Sequence, residues 1–247
     1  MAWQNVDTVP IRVAAQVAPA RADAIRSALL RRAVPLARLA EGRIEPLGTA
    51  GLICDGRRTG LLTAAHVFET ASAGDLAIPL PREGAIASLR WTSVRVIVHA
   101  VSDLALVWID EPALARRLRA SWERSPLPEC SAHGGDPATT YVLAGYPAAN
   151  ARRIDGSVYV KPVVLFTAAL DTARFAYART AERIDGLTIH TPELDGVSGA
   201  TVWGVNDEGD DGVSCVLRPA AVQVAFLHAR HLRAEPISSV IDLLLPG

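Results

Sequence analysis

Asp195-Gly196-Val197-Ser198-Gly199-Ala200, followed at once by the apolar run Thr201-Val202-Trp203, is the stretch around which the chain is organised. One glycine lies two residues before the serine and another directly follows it, a pattern typical of backbone that turns sharply or approaches another molecule closely. A serine at such a turn can present its hydroxyl to a substrate while neighbouring N–H groups face the oxygen that becomes charged. A tight turn between two strands gives the same pattern, so a catalytic interpretation requires a base and an acid elsewhere.

Short apolar runs separated by turn residues dominate the sequence on both sides of this stretch. Residues 48–54 and 60–67 flank Asp55-Gly56, a dipeptide typical of a hairpin. Helical spacing is confined to residues 20–32, to a short basic segment at 112–122 and to the end of the chain at 237–245. The pattern predicts an all-β protein divided into an N-terminal extension with a helix (1–33), a first β-barrel (34–124), a linker rich in proline and glycine (125–138), and a second β-barrel with a C-terminal helix (139–247).

Two polar residues at strand ends supply the base and the acid. His66 follows the apolar run Leu61-Leu62-Thr63-Ala64-Ala65, and Asp103 precedes another, Leu104-Ala105-Leu106-Val107. A serine hydroxyl is a weak nucleophile that needs an adjacent imidazole, and the imidazole needs a carboxylate to hold its tautomer. The order His66, Asp103, Ser198 predicts a catalytic triad in which the first barrel gives base and acid and the second gives the nucleophile.

The sequence resembles the trypsin-like, or chymotrypsin-fold, serine peptidases. Five stretches carry the resemblance in the family's order: GTAGLI (48–53), LLTAAHV (61–67), SDLALV (102–107), VLAGYP (142–147) and DGVSGA (195–200). TAAH, DLAL and GxSG are specific as a set, whereas each alone would be weak. The resemblance implies two six-stranded antiparallel β-barrels with the active site in the cleft between them, and hydrolysis of peptide bonds through an acyl-enzyme. It also implies an oxyanion hole formed by the N–H groups of Gly196 and Ser198.

Three departures place the chain nearest to the disulfide-free bacterial branch of that family. Val197 stands where the secreted digestive members carry an aspartate that pairs with a newly cut N-terminal amine, so that form of activation is not expected. Val67 replaces the cysteine whose disulfide braces the histidine loop. Ala200 replaces the last glycine of the usual motif, a small change that a strand should tolerate.

The specificity pocket is harder to predict than the triad. The position six residues before the nucleophile, at the base of the pocket in trypsin, falls at Pro192, which cannot supply a carboxylate. Glu193 could supply it if the loop is shifted by one residue. The strand from Val222 onward is expected beside bound substrate, which makes Phe226 and His228 candidates for the pocket wall.

Composition narrows the choice of cofactors, partners and compartment. A net charge of −1 and few aromatic residues argue against nucleic acid as a partner, and no apolar run approaches the ~20 residues that span a bilayer. No histidine pair has HxxxH or HExxH spacing, so neither a metal nor an organic cofactor is expected. The cysteines Cys54, Cys130 and Cys215 form no CxxC pair, and the N-terminus shows no secretory signal, which together favour a cytoplasmic protein.

Two alternatives to a serine endopeptidase remain open at this point. One is a catalytically silent trypsin-like domain that binds peptides or a partner in its cleft, and the other is an esterase acting on small acyl groups. The intact triad favours the peptidase, with a protein or peptide as substrate. An active peptidase among cellular proteins needs control, so we expect a regulatory protein partner, a narrow pocket or a misaligned resting triad, with the helix at 20–32 as the mediating element.

Overall fold

The computed structural model describes residues 19–40, 43–55, 58–69, 76–89, 94–126, 138, 140–154, 157–177, 181–184, 187–190, 194–207, 215–227 and 231–244. Within these ranges the chain forms mainly antiparallel strands, with helices α1 (Pro19–Leu30), α2 (His66–Glu69), α3 (Pro112–Ser121) and α4 (Ser238–Leu244). Helices α1, α3 and α4 confirm the three helical segments expected from sequence spacing. No described helix has the length and apolar character needed to cross a membrane.

The first sheet is built from the N-terminal half of the chain. Its strands are β1 (Ala33–Ala40), β2 (Arg43–Asp55), β3 (Arg58–Thr63), β4 (Leu76–Leu80), β5 (Ala85–Ser88), β6 (Val94–Val98), β7 (Ala105–Ile109) and the short β8 (Ser125–Pro126). Seven of them pair antiparallel in the order β5-β4-β1-β2-β3-β7-β6, and β8 adds a parallel pairing to β2. The hairpin expected at Asp55-Gly56 is confirmed, because Asp55 pairs with Arg58 across β2 and β3.

The second sheet is built from the C-terminal half. The strands of this half are β9 (Thr140–Gly145), β10 (Ala151–Ile154), β11 (Ser157–Val160), β12 (Val163–Thr167), β13 (Arg174–Ala176), β14 (Ala181–Ile184), β15 (Leu187–His190), β16 (Thr201–Asp207), β17 (Cys215–Leu227) and β18 (His231–Pro236). Six of them form one sheet in the order β12-β9-β16-β17-β18-β13, while β10-β11 and β14-β15 are separate hairpins. Two curled antiparallel sheets of this kind confirm the predicted fold class.

Apolar side chains divide among three buried clusters. The first cluster is the core of the first sheet, and the second cluster is the core on the inner face of the second sheet. The third cluster packs α1 against the outer face of the second sheet. Helix α1 contributes Ala22, Ile25 and Leu29, which are spaced three or four residues apart and therefore share one face. These residues pack with Phe166 and Trp203, so α1 is part of the folded body.

Strand β17 lies between two of these cores. Val222 and Val224 pack in the first cluster together with Val240 and Leu243 of α4, whereas Ala221 packs in the second cluster. Successive residues of a strand point to opposite faces, so one face of β17 supports the first core and the other supports the second. The strand therefore connects the two halves of the protein through side-chain packing.

Gly199 occupies the point where the two sheets come closest. Its φ of +91° belongs to the region that glycine tolerates and residues with a Cβ rarely adopt. A Cβ at this position would overlap the main-chain oxygen of Thr49 and the hydroxyl of Thr63. Both partners are buried on β2 and β3, so they have no room to move aside.

We expect Gly199→Ala to destabilise the protein by roughly 4 kcal/mol or more, because strain in the backbone adds to overlap with a buried wall. Urea denaturation followed by circular dichroism measures the change. Gly84→Ala is the matched control: Gly84 also has a positive φ, of +61°, but no atom lies within 4 Å of the added Cβ. If both variants lose the same free energy of unfolding, the close approach at Gly199 contributes nothing to the cost of the substitution.

Candidate active site

His66 and Asp103 form a doubly hydrogen-bonded pair at the edge of the first sheet. The Nδ1 of His66 lies 2.7 Å from Oδ2 of Asp103, and the main-chain N–H of His66 donates to Oδ1 at 3.0 Å. The side chains are 40% and 30% exposed, so the imidazole remains accessible to a substrate. A carboxylate can only accept, so the tautomer that fits this contact carries its hydrogen on Nδ1, and that tautomer has its lone pair on Nε2.

The loop that carries Asp103 is fixed by hydrogen bonds of its own. The Nδ1 of His99 accepts from the N–H groups of Val101 at 3.2 Å and Ser102 at 2.8 Å. The main-chain oxygen of Asp103 accepts from the N–H of Ala65, the residue before His66. The carboxylate and the imidazole are thus held together by main-chain contacts as well as by their own side chains.

Ser198 lies in a tight turn of the second half. Hydrogen bonds from Val197 N–H to Leu194 O and from Ala200 N–H to Val197 O, both 2.9 Å, close two successive turns around it. Gly196 has a φ of +90°, and a Cβ there would come within 2.9 Å of Tyr146 O and 3.0 Å of the nitrogen of Ala148. This crowding explains why the residue two before the serine is glycine.

Two main-chain N–H groups of this turn have no main-chain partner in the part of the chain that the structure describes. Within the described residues, neither the N–H of Gly196 nor that of Ser198 donates to a main-chain oxygen. The neighbouring N–H groups of Val197 and Gly199 do have such partners. Two donors on alternate residues of one turn are the groups that an oxyanion hole would require.

Thr49 of β2 connects this turn to the first sheet. Its N–H donates to the main-chain oxygen of Ser198 at 2.8 Å, and its hydroxyl donates to that of Gly196 at 3.0 Å. The same hydroxyl accepts from the N–H of Tyr146 at 3.1 Å, and Thr63 donates to Thr49 O at 2.7 Å. Sequence reasoning missed both threonines; the GTAG stretch predicts a strand, and nothing in it singles out the hydroxyl.

The main chain of Ser198 also comes close to Val67, the residue that follows His66. A Cβ built on Gly48 would lie 2.8 Å from Cγ2 of Val67 and 3.0 Å from the main-chain oxygen of Ser198, so these two groups flank the same point. The described residues include no hydrogen bond between the Ser198 hydroxyl and the His66 imidazole. In unliganded sites that contact is often longer than in the substrate complex.

The replacements at Val197 and Ala200 are explained by packing. Both side chains are fully buried in the second cluster. A Cβ on Gly145 of β9 would come within 2.7 Å of Val197, so the valine sits directly against the main chain of that strand. The turn is therefore held at this position by apolar contact.

Of the four candidate specificity residues, only Phe226 falls within the described part of the chain. Pro192, Glu193 and His228 lie outside the described residues. Phe226 is partly exposed on β17, and its ring meets Tyr177 edge to face with 4.9 Å between centroids. Phe226 packs against the second cluster, and its role in the wall of a substrate pocket stays a prediction.

An apolar groove lies beside Tyr146, next to the turn that carries Gly196 and Ser198. It has a volume of about 680 Å³, and its lining residues include Pro46, Leu80, Ile86, Tyr146 and Tyr159. Tyr146 joins the groove to the site, because its main-chain oxygen lies against Gly196 and its N–H donates to Thr49. Burial raises the pKa of Tyr146 to about 12.

Comparisons with known proteins give a likeness of fold alone. No protein-family model and no curated protein matches the sequence. One similar solved structure comes from work on aromatic interactions that drive the coupled folding and binding of the intrinsically disordered Sesbania mosaic virus VPg protein; it has a TM-score of 0.51 and 16% identity, covering 86% of this chain and 90% of that one. Another is the Vibrio cholerae VesB protease, with a TM-score of 0.54 and 12% identity.

The second comparison places the chain in the fold class of a protease. The match covers 87% of this chain but 63% of the VesB chain, so this protein spans less than two thirds of that one. At these identities the likeness concerns the two-sheet architecture. What the site does must be argued from its own residues.

Because the pKa of Tyr146 is raised in the folded protein, the free energy of unfolding decreases as the pH becomes alkaline. Below about pH 10 the tyrosine is protonated in both states, and between about pH 10 and 12 the unfolded chain loses the proton first. We therefore expect the free energy of unfolding to fall by about 1–2 kcal/mol across that interval through this group. Urea titrations of the wild type and Tyr146→Phe at about pH 9 and about pH 11 measure the difference.

The phenylalanine variant should lose less stability than the wild type on going to the higher pH. Burial also raises the pKa of Tyr141, but that residue is present in both proteins and its contribution cancels in the comparison. Identical losses in the two proteins would contradict burial of the Tyr146 hydroxyl.

Proposed function

We propose that the chain is a serine endopeptidase that hydrolyses peptide bonds through an acyl-enzyme. Ser198 is the nucleophile, His66 the general base and then acid, and Asp103 the carboxylate that orients the imidazole. The N–H groups of Gly196 and Ser198 stabilise the oxyanion. The observation that carries the proposal is the doubly bonded His66–Asp103 pair, joined through β2 to a serine turn in which two N–H groups have no main-chain partner among the described residues.

The first half-reaction forms an ester with Ser198. Nε2 of His66 takes the hydroxyl proton as Oγ bonds to the carbonyl carbon, and the carbonyl oxygen becomes an anion facing the Gly196 and Ser198 amides. The resulting imidazolium lies against Asp103, whose charge favours it. When the carbon–nitrogen bond breaks, the imidazolium gives its proton to the leaving amine.

The second half-reaction reverses these roles with water in place of the amine. His66 takes a proton from water, the oxygen of that water attacks the ester carbon, and Ser198 leaves as the protonated hydroxyl. The carboxylic acid product departs and the starting enzyme is restored. The protons thus move only among Ser198, His66, the leaving amine and the attacking water, while Asp103 and the two amides act through hydrogen bonds and charge.

The groove beside Tyr146 supports a polypeptide substrate over a small ester. It leads away from the glycine whose N–H would hold the oxyanion, and its lining includes exposed apolar side chains, Ile86 and Tyr159. A peptide that extends beyond the scissile bond can bury apolar residues there, whereas a small acyl ester leaves it unused. The groove thus favours cleavage within a polypeptide chain.

A fluorophosphonate probe tests the assignment directly, because it reacts with an activated serine and needs no knowledge of the substrate. We expect labelling at Ser198 in the wild type, none in Ser198→Ala, and a rate about 10³–10⁴-fold lower in Asp103→Asn, where the imidazole loses its orienting charge. Intact mass spectrometry and peptide mapping identify the modified residue. Asp171→Asn is the matched control, since the Asp171 carboxylate also accepts main-chain N–H bonds, from Ala173 and Arg174, on an exposed loop.

Three outcomes would count against the proposal. Absence of labelling in a folded wild type that binds peptides would favour the silent binding domain. Labelling with turnover of small esters and no cleavage of any unfolded protein would favour the esterase. If Asp171→Asn lowers the labelling rate as much as Asp103→Asn does, the reactivity of Ser198 does not depend on the His66–Asp103 pair.

Thr49 gives a second test, of positioning. We expect Thr49→Val to lower kcat about 10–100-fold with little change in KM, because loss of the hydroxyl releases Gly196 O and lets the oxyanion donors shift. Thr167→Val is the control, as Thr167 is also fully buried and donates a 2.7 Å bond to Ala176 O away from the site. Both variants should lose about 1–3 kcal/mol of stability.

Peptide hydrolysis and urea denaturation measured on the same preparations separate the two effects. If the threonine variants lose activity in proportion to stability, Thr49 has no positioning role. A fall in kcat confined to Thr49→Val supports the clamp that this residue forms between β2 and the serine turn.

A further inference from the structure

The loop that carries Asp103 joins β6 to β7, and packing holds only one end of it. The last pair between the two strands is Val98 with Ala105, so residues 99–104 form the loop. Leu104 is fully buried in the first cluster, whereas Val101 at the tip is 91% exposed. A tip without buried apolar contacts keeps one conformation only if hydrogen bonds hold it.

His99 supplies those hydrogen bonds from the first position of the loop. Its Nδ1 accepts from the N–H of Val101 at 3.2 Å and from that of Ser102 at 2.8 Å. Its own N–H donates to Leu104 O at 2.9 Å, which closes the base of the loop. One residue thus holds both the tip and the base, and the last N–H that it binds belongs to the residue directly before Asp103.

The same turn occurs a second time in the chain, with an oxygen as the acceptor. Oδ1 of Asp171 accepts from the N–H groups of Ala173 at 2.9 Å and Arg174 at 2.8 Å, which lie two and three residues further along. This is the turn that aspartate and asparagine form with their own main chain. Nδ1 of histidine is bonded to Cγ, as Oδ1 is, so His99 places its acceptor where an asparagine would.

Three contacts of the candidate site depend on the main chain at Asp103. Its two carboxylate oxygens bind the Nδ1 and the N–H of His66, and its main-chain oxygen accepts from the N–H of Ala65 at 3.2 Å. All three start from one residue, so a shift of the loop displaces them together. A misplacement of about 1 Å can lower the rate of an enzyme about 100-fold.

We infer that His99 is a positioning residue, which holds Asp103 in the orientation that the imidazole of His66 requires. The inference rests on the proposed peptidase function. His99 acts through the main chain of Val101 and Ser102 and takes no part in the proton transfers. What the loop needs is an acceptor at the position of Nδ1, so an asparagine should replace His99 and a leucine should not.

Three substitutions at this position separate the acceptor from the side chain that carries it. Asparagine keeps an acceptor on Cγ, and leucine has a similar size and no acceptor. Glutamine keeps the amide but moves its oxygen one bond further from the main chain, so it tests the position of the acceptor with a polar side chain. Asp171→Leu is the matched control, because it removes the same pair of hydrogen bonds from the loop between β12 and β13.

The experiment measures the rate of fluorophosphonate labelling at Ser198 and the urea midpoint of each protein. We expect His99→Leu and His99→Gln to label about 10–100-fold more slowly than the wild type, and His99→Asn to stay within about threefold of it. Asp171→Leu should also label within about threefold of the wild type. The urea midpoints of the two leucine variants should fall by comparable amounts, because each loses two hydrogen bonds on an exposed loop.

The outcomes distinguish this inference from the proposed function. If the wild type labels and both His99→Leu and His99→Gln label at its rate, His99 has no positioning role and the peptidase assignment stands. If His99→Asn labels as slowly as His99→Leu, the acceptor turn is not what His99 provides and the inference is wrong. Equal slowing in Asp171→Leu would assign the effect to general destabilisation, and a folded wild type that does not label would overturn both proposals. Should His99→Leu fail to fold, His99→Gln against His99→Asn gives the same comparison.

Discussion

The site depends on the hydrogen bonds that Thr49 makes across the boundary between the two sheets. One residue of β2 holds the main-chain oxygens of Ser198 and Gly196, receives the N–H of Tyr146, and is itself held by Thr63. All of these bonds are buried or nearly so, where water cannot compete for them. The turn that carries Ser198 is therefore positioned by the sheet whose edge carries His66, and the candidate site needs both halves of the chain.

The N–H groups of Gly196 and Ser198, the proposed oxyanion donors, lie in a turn that is fixed without a ligand. Their geometry follows from three constraints: the positive φ of Gly196, the contact of Val197 with Gly145, and the bond from Ala148 N–H to Asp195 O. Each constraint uses main chain or apolar packing, so no buried charge has to be neutralised to hold the turn. Preorganised dipoles of this kind stabilise developing charge without reorganising during the reaction, which is the main electrostatic advantage that a protein has over water.

Sequence patterns predict the fold and the catalytic trio because both depend on local signals. Asp55-Gly56 gives the first hairpin, the apolar runs give the strands, and a histidine and an aspartate at strand ends give the candidate base and acid. The domain limits and the catalytic roles themselves stay predictions. The sequence does not single out Thr49, because threonine is common in strands. Its role depends on hydrogen bonds to partners about 100–150 residues away along the chain.

The specificity residues stay predictions, because their assignment depends on the register of one loop. Counting back from Ser198 points to Pro192 or Glu193 only if the loop length matches that of the family, which a single sequence cannot establish. Gln223 is an exception of another kind: β17 is apolar from Ala220 to Phe226 except at this one position. Its side chain is buried, and its amide has no hydrogen-bond partner among the described residues, so the local rules favour an apolar side chain there. A single sequence shows that this position departs from the pattern of the strand, whereas the unpaired amide becomes visible only in the packed structure.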